Sequence, residues 1–419
     1  MRCNTGAMAD TSDLRAAVAL GGRGVAATTM MLRDVHLAIA RRAFGATGPA
    51  GRPARLLHDG ISQVVYAAVG GGARVAATAT GVAVAARAAT DPAYRPLSQR
   101  SRGNVAISAL NGAWGDLLAR TRNPLALGMT VRVHGRDVAI RRDELAQAFP
   151  RAGGDVAVFV HGLCESDASW RLGGQRHYDD SHSTHGSRLE ADTGLTPVYL
   201  RYNTGLHISD NGAHLDVLLA ALVEQWPAPV TRLTMVGHSM GGLVIRSACC
   251  LDQDGARRWT PLVSRIVYLG SPHLGAPLEV GAARAARALQ RLPETRPIAR
   301  ALATRSVGIK DLRFGDVVAD DWAILDDLDA DRAEPPACAP LLPSADHFYV
   351  GATLTRRHDT VAARIIGDAL VPFHSASGEG QVRRLGLQVD RGRHLAGLHH
   401  FDLLNHPRVY AVLREWLAD

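Results

Sequence analysis

The stretch "TMVGHSMGGLVIRSACC", Thr234 to Cys250, decides how the rest of the chain is read. An apolar, β-rich segment runs into Gly237-His238-Ser239-Met240-Gly241, and an apolar-periodic segment runs out of it. The first has the pattern of a buried strand and the second that of a helix. A sharp strand-to-helix turn at residue 239 leaves its side chain exposed at the end of the strand. The flanking glycines leave room for a strained backbone and close packing. The helix that starts there favours negative charge at its N-terminus. Ser239 is therefore a candidate nucleophile rather than an ordinary turn residue.

A serine hydroxyl is a poor nucleophile at neutral pH. It needs a base, an acid behind the base, and donors for a developing oxyanion. Upstream, "VFVHGLCESDASW" (Val158–Trp170) ends a buried strand at His161-Gly162, so the Leu163 N–H is one candidate oxyanion donor. The Met240 N–H, just after the serine, is the other. His161 reads as structural, and His238 points away from the serine along the strand. Downstream, "IIGDALVPFHSASG" offers Asp368 as the acid, whereas Asp320, Asp321, Asp326, Asp327 and Asp329 read as a solvated acidic surface. The base is expected last, before the closing helix, and "HLAGLHHFDLLNHPRVY" offers His394, His399, His400 and His406. The order serine, aspartate, histidine is that of an α/β-hydrolase fold.

The surrounding segments alternate in the way such a fold requires. "MTVRVHGRDVAI" reads as a hairpin around His134-Gly135, and "DVAVFV" (Asp155–Val160) as a strand buried on both faces. Strands over Thr196–Asn203, Arg265–Ser271 and His347–Thr353 and helices over His214–Trp226 and His406–Leu417 follow. This alternation predicts a mainly parallel sheet with helices on both faces. The segment from about 277 to 346 interrupts the rhythm and reads as a lid-like helical insertion.

Residues 1–125 read as a separate helical region of unassigned role. Leu32, Val35, Ile39 and Ala43 mark one helix, and Leu57, Ile61, Val64 and Ala68 a second. Gly70-Gly71-Gly72 is expected to break the chain before an Ala-rich third helix over Ala73–Ala89. That helix is apolar almost all round, which suits contact with a lipid surface. A fourth, marked by Val105, Leu110, Trp114 and Leu117, ends at Asn123-Pro124. Residues 126–419 form the expected catalytic domain.

Of 419 residues, 47 % are hydrophobic and 21 % charged, which excludes a disordered chain. The net charge is +7, with a single lysine, Lys310. The arginines are interleaved with acids, without the basic stripe of a nucleic-acid surface. Five cysteines, an odd number without zinc spacing, read as reduced thiols. No metal or cofactor is expected. No secretory signal is evident, and the longest apolar run, Val75–Ala86, is too short for a membrane span. A cytoplasmic or peripherally membrane-associated protein is the expectation.

"VFVHGL", "GHSMGG", "YLGSPHLGAP" (Tyr268–Pro277), "GDALVP" and "HHFDLL" together resemble the esterase/lipase branch of the α/β-hydrolases, over roughly residues 126–419. They are similar to bacterial lipases and to the lipase-like domain of GPI inositol-deacylases. The resemblance selects His400 as the base, because His400-Phe401-Asp402-Leu403-Leu404 matches the H-x-x-L-L spacing of such lipases and His399 does not. It also implies Leu163 and Met240 as oxyanion donors, and a carboxylic-ester hydrolase acting on an apolar ester. Acyl transfer, thioester cleavage or polyester depolymerisation on the same triad, or a non-catalytic lipid-surface scaffold, are the alternatives.

Overall fold

A computed structural model describes residues 11–45, 52–91, 93–252, 257–276, 296–297, 304–322, 339–355, 368–380 and 383–418. The chain forms two compact units. One comprises Met1–Arg100, Thr121–Leu125 and Gly281–Arg305; the other comprises Ser101–Arg120, Ala126–Val280 and Ser306–Asp419.

The first unit carries two long helices, α1 (Ser12–Gly45) and α2 (Arg52–Ala89). The expected break at Gly70–Gly72 is absent, and α2 runs through it. Each glycine costs a helix about 1 kcal/mol relative to alanine. Long alanine-rich flanks and packing against α1 outweigh that. Small residues let the two helices approach closely: a Cβ on Gly22 would lie 2.3 Å from Ala77 Cβ, and one on Gly81 3.3 Å from the Arg15 carbonyl. Continuity also corrects the expectation of no membrane-length helix. His58–Ala89 is a 32-residue stretch long and apolar enough, by length and composition, to cross a membrane.

The fourth N-terminal helix, α3 (Ser101–Arg120), groups with the sheet-bearing unit rather than with α1 and α2. Its polar side chains account for this. Asn104 Nδ2 donates to Asp167, and Asn111 Oδ1 accepts from the Leu127 N–H. A Cβ on Gly115 would overlap Asn203, so α3 lies against the chain that leaves β4 (Thr196–Arg201).

Among the described residues the sheet has eight strands. Besides β4 they are β1 (Thr130–Val133), β2 (Arg136–Val138), β3 (Asp155–Val160), β5 (Arg232–His238), β6 (Val263–Leu269), β7 (Asp346–Thr353) and β8 (Gly392–Ala396). Their order is β2-β1-β4-β3-β5-β6-β7-β8. All neighbours from β4 to β8 run parallel, and β1 is antiparallel to both β2 and β4. In the β1–β2 hairpin His134 and Gly135 both have positive φ, 48° and 75°, as a two-residue turn matched to strand twist requires.

Along β3, Val156, Val158 and Val160 face one core while Ala157 and Phe159 face the other. The first core contains residues of α4 (Ile208–Gln225) and α5 (Met240–Cys250), including Leu215, Leu219, Leu243 and Val244. The second contains Val409, Leu413 and Trp416 of α6 (Pro407–Leu417). Successive strands β4 and β5 lie on opposite sides of β3. A crevice opens at such a switch point, outside the carboxyl ends of the strands.

Only part of the 277–346 insertion is described. Ser306 Oγ donates to the Gly112 carbonyl, and Asp311 accepts from the Ile208 N–H at 2.8 Å. Trp322 stacks on His207 with centroids 3.7 Å apart. This portion is anchored to the start of α4. The helical piece "EVGAARAARALQRL" and Asp326, Asp327 and Asp329 lie outside the described residues.

Candidate active site

Ser239 sits between β5 and α5 with φ 51° and ψ −123°, a conformation that non-glycine residues rarely adopt. The neighbouring packing enforces it. A Cβ on Gly237 would lie 2.5 Å from the Gly242 nitrogen, and one on Gly241 2.2 Å from the Val160 carbonyl. Any larger residue at either place would push α5 off the sheet. The Ser239 N–H bonds the Leu269 carbonyl at 2.9 Å, fixing the turn to the end of β6.

His400 reaches the same edge from the loop after β8. Its Nδ1 lies 2.7 Å from Asp368 Oδ2, with both side chains buried. Its backbone N–H bonds the Asp368 carbonyl at 2.9 Å, so the two residues are joined at main chain and side chain. Asp368 Oδ1 accepts from the Leu370 and Val371 N–H groups at 3.0 and 2.8 Å, which fixes the orientation of the carboxyl group. With Nδ1 held by an acceptor-only group, the neutral ring presents Nε2 as its base. The imidazole lies over Gly270, where a Cβ would be 3.2 Å from His400 Cε1. Gly270 directly follows Leu269, the residue that binds the Ser239 N–H.

The other three histidines have separate tasks. His394 Nε2 pairs with Thr353 Oγ1 at 2.7 Å between β7 and β8. His399 accepts from the Asp402 N–H and caps the turn that carries His400. His406 accepts from the Arg408 N–H and caps α6. Among the acids, Asp321 accepts from the Val317 and Val318 N–H groups in a surface turn, and Asp320 is exposed.

The turn after β3 accounts for its N–H groups almost completely. Gly162 N–H donates to Glu165 Oε2 at 2.7 Å, Cys164 N–H to Thr204 Oγ1 at 3.2 Å, and Glu165 N–H to the Gly162 carbonyl at 3.3 Å. Among the described residues, the Leu163 and Met240 N–H groups have no acceptor. Gly162 brings this turn against the serine, because a Cβ there would lie 2.9 Å from Ser239 Cβ. His161, the other histidine of the turn, stacks on Tyr202 with centroids 4.5 Å apart and is fully buried.

One pair went unforeseen in the sequence. His238 Nδ1 lies 2.9 Å from Glu165 Oε1, and both residues are buried. Its Nε2 lies 3.2 Å from the His400 carbonyl. Burial opposes the His238 charge, yet the attraction and hydrogen bond of Glu165 raise its pKa above the ordinary value. Burial likewise opposes ionisation of Glu165, and His238 reverses that, holding the carboxyl below its ordinary range. The only signal in the sequence was an acid three residues past Gly162.

The sheet, the elbow at its centre and the loops that converge there define an α/β-hydrolase fold. Residues 151–338 match the family model of the PGAP1-like alpha/beta domain. No curated protein matches the chain significantly. Among solved structures, the chain is similar to the mature form of Bacillus licheniformis lipase BlEst2, at 16 % identity and a TM-score of 0.40, covering 63 % of this chain and 92 % of that one. It is also similar to EstA from Clostridium botulinum, at 13 % identity and a TM-score of 0.35, covering 64 % and 87 %. Phospholipase PlaB from Legionella pneumophila matches at 16 % identity and a TM-score of 0.37, over 63 % of this chain and 59 % of that one.

Proposed function

We propose that the protein is a serine carboxylic-ester hydrolase acting on an apolar, lipid-like ester. Ser239 attacks the ester carbonyl while His400 Nε2 takes its proton. Asp368 holds the imidazole tautomer and stabilises the charge that forms. The Leu163 and Met240 N–H groups receive the oxyanion. His400 then protonates the departing alcohol, leaving an acyl-enzyme that water cleaves with His400 again as base. The observation that carries this reading is the buried 2.7 Å contact between His400 and Asp368, together with a serine held at positive φ where β5 meets α5. Phe401, half exposed and edge-on to His400 with centroids 5.8 Å apart, supports an apolar substrate.

A panel of p-nitrophenyl esters of increasing acyl length, with Ser239→Ala beside the wild type, tests this. Turnover that prefers longer chains and disappears in Ser239→Ala is expected. Full turnover by that variant sinks the assignment. Acyl transfer, thioester cleavage and polyester depolymerisation use the same residues, and offering alcohols or thioesters in the same assay separates them. A non-catalytic scaffold predicts no turnover of any ester.

The long helices suggest contact with a lipid surface as a second property. Val64 and Val75 of α2 are 70 % and 71 % exposed, within its membrane-length apolar stretch. Co-sedimentation of the full chain with liposomes is expected to weaken in Val64→Glu/Val75→Glu. Equal binding by both proteins removes α2 as the anchor.

A further inference from the structure

We propose that Glu165 and His238 are positioning residues for the reaction at Ser239, a single buried clamp that ties the oxyanion turn to the backbone of the base. The inference rests on the assignment of Ser239, Asp368 and His400 made above.

The clamp has three bonds. Gly162 N–H donates to Glu165 Oε2 at 2.7 Å, His238 Nδ1–H donates to the same carboxylate, and His238 Nε2–H donates to the His400 carbonyl at 3.2 Å. A carbonyl oxygen can only accept, and so can an ionised carboxylate. With Glu165 ionised, as its lowered pKa favours, both ring nitrogens of His238 carry hydrogens, and the ring has no lone pair for a proton. It is excluded as the base although it adjoins Ser239. Its position is nonetheless central, with its ring 4.7 Å from that of His400 by centroids.

The clamp acts on both halves of the reaction. On one side Glu165 holds the Gly162 N–H, and its own N–H closes back on the Gly162 carbonyl. The peptide that carries the Leu163 N–H is thereby fixed in orientation. On the other side His238 holds the main chain of His400, whose side chain is fixed independently by Asp368. Gly162 adjoins both Ser239 and Glu165, since a Cβ there would be 2.9 Å from Ser239 Cβ and 3.2 Å from Glu165 Cδ. A buried ion pair contributes little stability over a well-packed apolar pair. An apolar pair, however, could neither accept from Gly162 nor donate to His400.

Steady-state kinetics on a p-nitrophenyl ester, with thermal unfolding measured beside them, test the proposal in Glu165→Ala, His238→Ala, the double variant and Glu165→Gln. Each alanine variant is expected to lower kcat roughly 10- to 100-fold, the scale of a misplacement near 1 Å. KM should change less than about twofold, because the substrate's acyl contacts are untouched. The double variant should lose no more than the worse single one, as residues that act as a unit do. Glu165→Gln keeps an acceptor for Gly162 and should recover most of the loss. A folded Glu165→Ala or His238→Ala with wild-type kcat overturns the proposal, as do losses that multiply in the double variant. If the alanine variants do not fold, Glu165→Gln and His238→Gln decide. A loss of kcat in His238→Gln with little in Glu165→Gln supports the clamp, and any other pattern overturns it. Ser239→Ala runs in the same series: its survival would undo the catalytic assignment itself, whereas its loss beside an unaffected Glu165→Ala would undo only the clamp.

Discussion

Ser239 is held in a backbone conformation that costs roughly 1–3 kcal/mol. The surrounding glycines and sheet bonds sustain it, and the result is a largely buried hydroxyl held at the turn where β5 meets α5. Removing that hydroxyl by Ser239→Ala is expected to reduce kcat at least ~10³-fold with little change in KM. Asp368→Asn should leave the fold intact and still lower kcat by about 10³ to 10⁴, because an amide favours the wrong imidazole tautomer. Ester kinetics read both, and a wild-type kcat in either contradicts the assigned role. At this scale the sequence was informative wherever a residue type is tied to one chemistry. Local pattern singled out Ser239, Asp368 and the Leu163 turn as candidates, and the resemblance was needed to choose His400 over His399. Glu165 and His238 were not legible as a pair. Their positions lie 73 residues apart in the chain, and nothing local specifies that contact.

The elements obey packing as much as propensity. At the elbow, a Cβ on Gly241 would meet the Val160 carbonyl at 2.2 Å, so Gly241→Ala is expected to destabilise the fold and to lower activity with it. In α2 the same substitution has the opposite sign. A Cβ on Gly71 or Gly72 would meet nothing within 4 Å, and both residues lie in a helix, so Gly71→Ala/Gly72→Ala should stabilise by roughly 1–2 kcal/mol in all. Gly22→Ala should destabilise, since its Cβ would lie 2.3 Å from Ala77 Cβ. Circular-dichroism melts of the three variants test this ordering, and a loss of helix in the double alanine variant contradicts it. The triple glycine was misread for this reason. Its cost is local, while the apolar and alanine-rich contacts that outweigh it come from α1, far away in the sequence. The short strand β8 was missed on similar grounds, because Gly392-Arg393-His394-Leu395-Ala396 lacks strand composition and is held by pairing with β7.

At the scale of the whole molecule, the order β4-β3-β5 opens the crevice where the turn after β3 and the elbow meet. Parallel strands β6 to β8 then deliver His400 to the same edge. This architecture follows from the alternation of apolar runs and periodic segments, and was legible for that reason. Burial also sets how the molecule responds to acid. His185 donates from Nε2 to the Leu403 carbonyl at 3.1 Å, and burial brings its pKa down to about 3. The unfolded ring takes up a proton below about 6.5. Between these values the unfolded chain binds more protons, so this contribution to stability is full above about 6.5 and is lost as pH falls toward 3. Urea unfolding at pH 7 and pH 5 should therefore show a larger drop for the wild type than for His185→Gln, and an equal drop contradicts it. The most direct test of the central claim is the mass of the whole protein after exposure to a fluorophosphonate at neutral pH, with the adduct mapped by peptide. A single adduct on Ser239, absent in Ser239→Ala and much slower to form in His400→Ala, is the predicted result. No adduct, or an adduct elsewhere with ester turnover intact in Ser239→Ala, would contradict it.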